Sequence, residues 1–308
     1  MILCCGEALI DMIPTVSTDG QTSFTPHPGG AVFNTAIALG RLGHDTGFVT
    51  GLSHDLFGQQ LAQALEESHV DGSHVIRSDL PTTLAFVQLA KGQARYTFYD
   101  ENTAGRSLTP DQLPDLPEAV TALYFGGISL ISEPCAEFYA ALAEREADRR
   151  VIMIDPNIRA AFVKDEARYR ARLERMIAVA DIVKVSDEDL EWIVQDGETL
   201  TEKAQLLCAA GPHVVLITRG ADGASAIFAG GVTVDVMAQR VAIVDTVGAG
   251  DTFNAGVLAK LAEKGLLSKQ TVTHIGAQEV TDALAQGAAV AAVTVSRAGA
   301  NPPWAHEL

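Results

Sequence analysis

Residues 122–158 read ALYFGGISLISEPCAEFYAALAEREADRRVIMIDPNI. Two short apolar runs, 122–128 and 151–158, flank a helical pattern at 134–150. Each run is near-continuously apolar rather than alternating, which marks a strand buried on both faces. Such strands with a helix between them build a parallel sheet covered by helices. The same rhythm recurs on either side of this unit. Runs at 2–13, 46–52, 181–186 and 213–220 read as strands, and 31–43, 57–69, 166–180 and 280–295 read as helices. The expected fold class is α/β, with a central, mostly parallel sheet between two helical layers.

One region breaks the rhythm. TTLAFVQLA (82–90) and ARYTFYDE (94–101) are two strands joined by Lys91-Gly92-Gln93, with no helix after them. TSFTPHPGG (22–30) is another extended piece, punctuated by Pro and Gly. These segments predict a small projecting sheet, built from about 12–30 and 81–103. Over the carboxyl ends of the main strands, where open α/β sheets bind ligands, it would act as a lid. A plain edge hairpin without a gating role is the other reading of this pattern.

The chain has 308 residues, 47% hydrophobic and 20% charged, enough to bury a sizeable core. Its formal net charge of −17 carries no Lys/Arg cluster, which disfavours nucleic acid and anionic membranes as partners. Cys4, Cys5, Cys135 and Cys208 show no metal-ligand spacing, and the 2–13 run lacks a signal-peptide pattern. A reduced, cytoplasmic protein is expected. P-loop, GxGxxG, GxSxG and HExxH motifs are absent.

The chemistry concentrates in DTVGAGDTFNAG (245–256). Gly248, Ala249 and Gly250 fall between an apolar, strand-like run (241–244) and a helical run. Small residues there allow close backbone approach, and the unpaired N–H groups of a first helix turn form an anion hole. Asp251 stands in the same turn. It reads either as a cap, contributing about 1 kcal/mol, or as the acceptor of a hydroxyl proton in phosphoryl transfer. The helix terminus favours its charged form, which makes it a weak base.

Together, DTVGAGDTFNAG and GGAVFNTAIALGRLG (29–43) resemble the two signatures of the ribokinase-like (PfkB-type) carbohydrate kinases, with DPNIR and ITRGADGA matching between them. Within that family GEALIDMIP, YFGGISL and DIVKVSDEDL are most similar to fructokinases. The resemblance implies one ribokinase-like domain over 1–308, a three-layer α/β/α sandwich with a β-sheet lid. It implies ATP-dependent phosphorylation of a sugar hydroxymethyl, with fructose favoured. The alternatives are 2-keto-3-deoxygluconate or a nucleoside as acceptor, or a non-catalytic sensor on a kinase fold.

Residue by residue, the resemblance makes Asp251 the base and Gly248, Ala249 and Gly250 the anion hole, with Arg159 beside sugar and phosphate. Asp11, Gly29, Gly30, Asn34 and Phe98 match sugar-binding positions, with Tyr99 beside Phe98. Thr218, Gly220, Gly223 and Lys184 are expected at the nucleotide, with Ala288 and Ala291 walling the adenine or packing in the core. Ser186 and Asp189 replace the family's Asn and Glu, with Asp189 near Mg2+ through water. Asp245 would serve a monovalent cation such as K+. Asp100, just after the aromatic pair, would repel an acid sugar. Lid edges call for cover, and relatives often pair lids, so a homodimer is expected.

Overall fold

A computed structural model describes residues 1–90 and 93–308; Lys91 and Gly92, expected at the turn of the 82–101 hairpin, lie outside the described residues. The chain opens with β1 (Ile2–Cys5) and crosses at once to a hairpin of β2 (Leu9–Val16) and β3 (Thr22–Gly29). It continues through α1 (Ala31–Arg41), β4 (Thr46–Val49), β5 (Gly51–Ser53), α2 (Leu56–Glu67), β6 (Val70–Asp71) and β7 (Ile76–Ser78). A second hairpin follows, β8 (Leu84–Ala90) and β9 (Gln93–Tyr99). The rest alternates: β10 (Ala122–Gly126), α3 (Cys135–Glu146), β11 (Val151–Asp155), α4 (Glu166–Val179) and β12 (Ile182–Ser186). Next come α5 (Asp187–Ile193), α6 (Leu200–Ala209), β13 (Val214–Thr218), β14 (Ala224–Phe228) and β15 (Thr233–Val236). The last two long helices are α7 (Ala249–Glu263) and α8 (Ala277–Val295).

Nine strands form the main sheet in the order β15-β14-β13-β12-β11-β10-β1-β4-β6. Every pairing from β13 to β6 is parallel, and only β14 runs against the rest. The strand order reverses between β1 and β10, the switch point where such sheets open a crevice. The pleat sorts the core into two layers. Leu3, Cys5, Phe125, Ile154 and Val183 pack with α3, α4 and α6, while Ile2, Cys4, Met153, Ile182 and Leu216 pack with α1, α7 and α8. Runs apolar at every position are thereby explained, since both faces are covered. Helices α7 and α8 cross closely at glycines: a Cβ on Gly256 would meet Gly287 Cα at 2.7 Å.

The second sheet has the order β3-β2-β8-β9 and matches the expected lid segments. Two expectations need correction. The 2–13 run is two strands in two sheets, because Gly6-Glu7-Ala8 carries the chain off the main sheet. Asp11 therefore lies inside a lid strand and not at the end of the first strand. The 241–244 run is not a strand; Ile243 and Val244 are 67% and 63% exposed in a loop after β15. Apolar composition alone cannot distinguish a short strand from an exposed apolar loop.

Helix starts differ in how their first N–H groups are met. Asp55, Asp165, Ser186 and Thr199 accept first-turn N–H groups and cap α2, α4, α5 and α6. Helices α1 and α7 instead begin at Gly30 (φ 112°) and Gly248 (φ 79°), with no side-chain cap. Those left-handed conformations favour glycine, and they leave both helices without a cap from their own N-cap residue at the switch point. Among the described residues, no helix is long and apolar enough to cross a membrane.

Candidate active site

The carboxyl ends of β10, β11 and β12, the N-termini of α1 and α7, and the inner face of the lid sheet enclose a cavity of about 320 Å³. Its lining brings together Asp11, Gly30, Asn34, Phe98, Arg159, Lys184, Gly248, Ala249, Gly250 and Asp251 from six separate stretches of chain. Gly29 adjoins it, packed so closely on Asp11 that a side chain there would collide with the Asp11 carboxylate. A larger cavity of about 710 Å³ lies beyond Phe98 and Ile128, but none of the Gly-Ala-Gly-Asp residues lines it.

Asp251 is buried in the first turn of α7. Asn34 Nδ2 donates to its Oδ2 at 2.9 Å, and Thr35 Oγ1 donates to its backbone oxygen at 3.0 Å. Burial pushes the Asp251 carboxyl up to about 7, with the Asn34 hydrogen bond pulling the other way. This corrects the expectation of a weak base: desolvation outweighs the helix terminus. As a base, the group is matched to neutral pH. Neither the Gly250 nor the Asp251 backbone N–H has a protein acceptor among the described residues. Of the expected donors at Gly248, Ala249 and Gly250, the Ala249 N–H is taken by the Thr246 carbonyl at 3.3 Å, so the free N–H groups of Gly250 and Asp251 are the ones that share a helix turn with the carboxylate.

The floor of the cavity is charged. Lys184, 5% exposed, pairs with Asp155, 1% exposed, at 2.9 Å. Its Nζ would lie 3.4 Å from a Cβ on Gly250, so the cation faces the anion hole. Asp155 ends β11, and its Oδ1 accepts from the Asn157 N–H at 3.2 Å. Asn157 holds φ at 44°, an uncommon conformation for a residue other than glycine. This turn aims the DPNIR loop inward. Arg159 is exposed at the rim, its guanidinium resting on the Ile158 carbonyl at 3.2 Å.

On the lid side, β2 presents Asp11 and β9 presents Tyr96 and Phe98. Burial, then the nearby Glu7, raises the Asp11 carboxyl to about 7. Phe98 meets Phe162 edge to face at 4.8 Å, joining the lid to the turn after Arg159. Tyr99 points the opposite way and is 62% exposed, since neighbouring strand residues alternate sides. Sequence reasoning missed Glu7, which stands where the chain leaves the main sheet. Its carboxylate accepts from Ala31 N–H at 2.9 Å and Ser129 N–H at 3.2 Å, linking α1 to the end of β10. A buried acid inside an apolar run was its only signal. Asn157 and Tyr96 were missed as well.

Several expected positions lie outside this cavity. Thr218, Gly220 and Gly223 sit at and after the carboxyl end of β13, two strands beyond β11. Ala288 and Ala291 are on α8, and Ala291 packs against the core. Asp189 caps α5 together with Ser186, and its Oδ1 accepts from Ile158 N–H at 3.0 Å, bracing the DPNIR loop. Asp245 accepts from Val247 and Gly299 N–H groups at 3.0 and 2.9 Å, tying the loop before α7 to the loop after α8. Asp100 is paired with Arg106 at 2.8 Å and lines the larger cavity, so it does not face a ligand beside Asp251. The expectation that it repels an acid sugar there fails on geometry. Among the described residues, no three His, Cys, Asp or Glu side chains gather to hold a metal ion.

The geometry thus offers open backbone donors, a cation and a buried carboxyl group in one small cavity beneath a β-sheet lid. Comparison with known proteins gives the same arrangement a context. The family model for the pfkB family carbohydrate kinases matches residues 1–307. A fructokinase of Rhizobium leguminosarum bv. trifolii is 52% identical over 278 residues, covering 90% of this chain and 85% of the relative. The crystal structure of Xylella fastidiosa fructokinase with bound ATP superposes with a TM-score of 0.87 at 28% identity, over 97% of this chain and 93% of that one. Vibrio cholerae O395 fructokinase, solved with fructose, ADP and a calcium ion, gives 0.83 at 25% identity, over 97% and 94%.

Proposed function

Since the chain belongs to the pfkB family of carbohydrate kinases, we propose that it transfers the γ-phosphoryl group of ATP to the terminal hydroxymethyl of fructose, giving fructose 6-phosphate. The observation that carries the chemistry is the buried Asp251 carboxylate in the same helix turn as unpaired N–H donors. The sugar lies between Asp11, the Gly29-Gly30 loop, Asn34 and Phe98, with its hydroxymethyl toward Asp251. Asp251 takes the hydroxyl proton as that oxygen bonds to the γ-phosphorus. The bond from phosphorus to the bridging oxygen breaks, and its electron pair leaves with ADP. The Gly250 and Asp251 N–H groups and Arg159 meet the charge on the equatorial oxygens, and no covalent enzyme intermediate forms. Lid closure over Asp11 and Phe98 excludes water.

We assign the nucleotide to the carboxyl end of β13, at Thr218, Gly220 and Gly223, with Ala288 and Ala291 of α8 toward the base and the phosphates reaching Lys184. Mg2+ bound with the phosphates would neutralise part of their charge, and Asp189 is the carboxylate that would hold its water. Both Asp189 carboxylate oxygens already accept backbone N–H groups, so its role toward the metal would be through water. Asp245 and its loop carbonyls are the place for a monovalent cation. Residues 1–308 act as one kinase domain with the lid inside it, in the cytoplasm, where the four free, buried cysteines stay reduced. The outer lid face carries Phe24, Phe86 and Tyr99 in an edge-to-face row, with centroids 5.0 and 5.4 Å apart. That row is the surface we assign to a second copy in a homodimer.

The test is ATP-coupled turnover with fructose, 2-keto-3-deoxygluconate, ribose and adenosine as acceptors. Fructose should give the highest kcat/KM. A higher value for any other acceptor overturns the substrate assignment, and sugar binding without ADP release overturns the kinase.

A further inference from the structure

Beneath the first turn of α7 lies a buried polar network of which the reaction above uses only Lys184. Asp155 Oδ2 accepts from Lys184 Nζ at 2.9 Å and from Asn254 Nδ2 at 2.7 Å. Asn254 is fully buried one turn after Asp251, and its Nδ2 also donates to Tyr124 Oη at 2.9 Å. The network therefore joins β10, β11, β12 and α7 at their ends nearest the cavity.

A buried ion pair is costly, and as a rule apolar replacement is neutral or stabilising. This one is also incomplete. An ammonium has three N–H donors, yet Lys184 has a single acceptor among the described residues. It lines the same cavity as the Gly250 and Asp251 N–H groups, which are likewise without acceptors. Donors without acceptors are costly where water is excluded, and here they line one cavity, with Lys184 Nζ 3.4 Å from a Cβ placed on Gly250. A ligand rich in acceptor oxygens satisfies all of them.

Resting on the kinase reading above, we propose that Asp155 and Asn254 are positioning residues that hold the Lys184 ammonium against the first turn of α7, where Lys184 acts as a catalytic residue on the charge of the transferring phosphoryl group. Asp155 supplies the restraint and Asn254 the register: it fixes the rotamer of Asp155 from the helix that carries the base. The lysine is thus held before the substrate arrives, which is the condition for electrostatic stabilisation without reorganisation.

The proposal predicts opposed effects on the pH profile. Asp251 is faced by Asp155 and Lys184 from the sheet, by Tyr124 beneath, and by Glu7 beside α1. Asp11 and Arg159 line the same cavity. Asp155 raises the Asp251 carboxyl and Lys184 lowers it. Lys184→Met should cut kcat by roughly 10²–10³-fold, as loss of one such donor does, leave the sugar KM unchanged, and move the acid limb of kcat/KM to higher pH. Asp155→Asn keeps the side-chain volume; it should lower kcat by a smaller factor and move the limb to lower pH. Loss of packing alone would not shift the limb in opposite directions.

Lys184→Met leaves the Asp155 charge buried and alone, so the double variant Asp155→Asn/Lys184→Met, which removes both charges, is measured beside it. Residues acting as a unit are non-additive. The double variant should match Lys184→Met in kcat. Multiplied losses, a wild-type kcat for folded Lys184→Met, or limbs that move together would each overturn the proposal. If the wild type prefers another acceptor, only the fructose assignment fails, and the same variants are compared on that acceptor.

Discussion

Burial pushes the Asp251 carboxyl up to about 7 against an ordinary 3.8, and that shift acts on stability as well as on rate. Below about pH 4 both folded and unfolded chains hold the proton. Between about 4 and 7 only the folded chain holds it, so stability falls as pH rises through that window. At about 1.4 kcal/mol per pH unit the loss approaches 4 kcal/mol by pH 7. Asp251→Asn should therefore lower kcat by roughly 10²–10⁴-fold while raising the Tm at pH 8, with the Tm gain vanishing near pH 4. Thermal melts across that range check the sign. Asn34 favours the charged form of Asp251. Asn34→Leu should accordingly move the acid limb of kcat/KM above pH 7, as read in a pH–rate profile. At this scale the sequence singled out an aspartate and an asparagine that the structure brings into hydrogen bond but misjudged the basicity of the carboxyl, because helix position is local and desolvation is not.

The glycines of α7 separate fold from chemistry. Gly248 holds a left-handed φ of 79°, and a Cβ there would lie 2.7 Å from Ala300 Cβ. Gly248→Ala should cost at least the roughly 1–2 kcal/mol of that conformation, seen as a lower denaturation midpoint. Gly250 differs: its added Cβ would only touch Lys184 Nζ at 3.4 Å, and Ala suits a helix better than Gly by roughly 0.5–1 kcal/mol. Gly250→Ala should thus hold or raise the Tm while lowering kcat, because the methyl would occupy the position we propose for the phosphoryl group. The Gly-Ala-Gly motif was legible because no fold requirement explains both glycines. The strand expected just before it was not, since an apolar run reads alike whether a sheet pairs it or leaves it in a loop.

Across the whole molecule, the second sheet presents two different faces, and we assign access to one and association to the other. Its inner face carries Asp11, Tyr96 and Phe98 to the cavity, while the outer face exposes the Phe24–Phe86–Tyr99 row. Phe86→Lys should shift the protein to monomer in analytical ultracentrifugation; a wild-type chain that is monomeric at micromolar concentration removes the dimer assignment. By itself the sequence determined the alternation of strands and helices, the position of the lid segments and the Gly-Ala-Gly-Asp turn. These are set by periodicity and by residues adjacent in the chain. Only the tertiary structure decided that residues 2–13 divide between two sheets, that Glu7 ties α1 to the end of β10, that Asp100 faces away from the site, and that Asp155, Lys184 and Asn254 meet under the anion hole. Those outcomes depend on which faces pack together and on how much water each charge loses, and neither quantity belongs to any single stretch of chain.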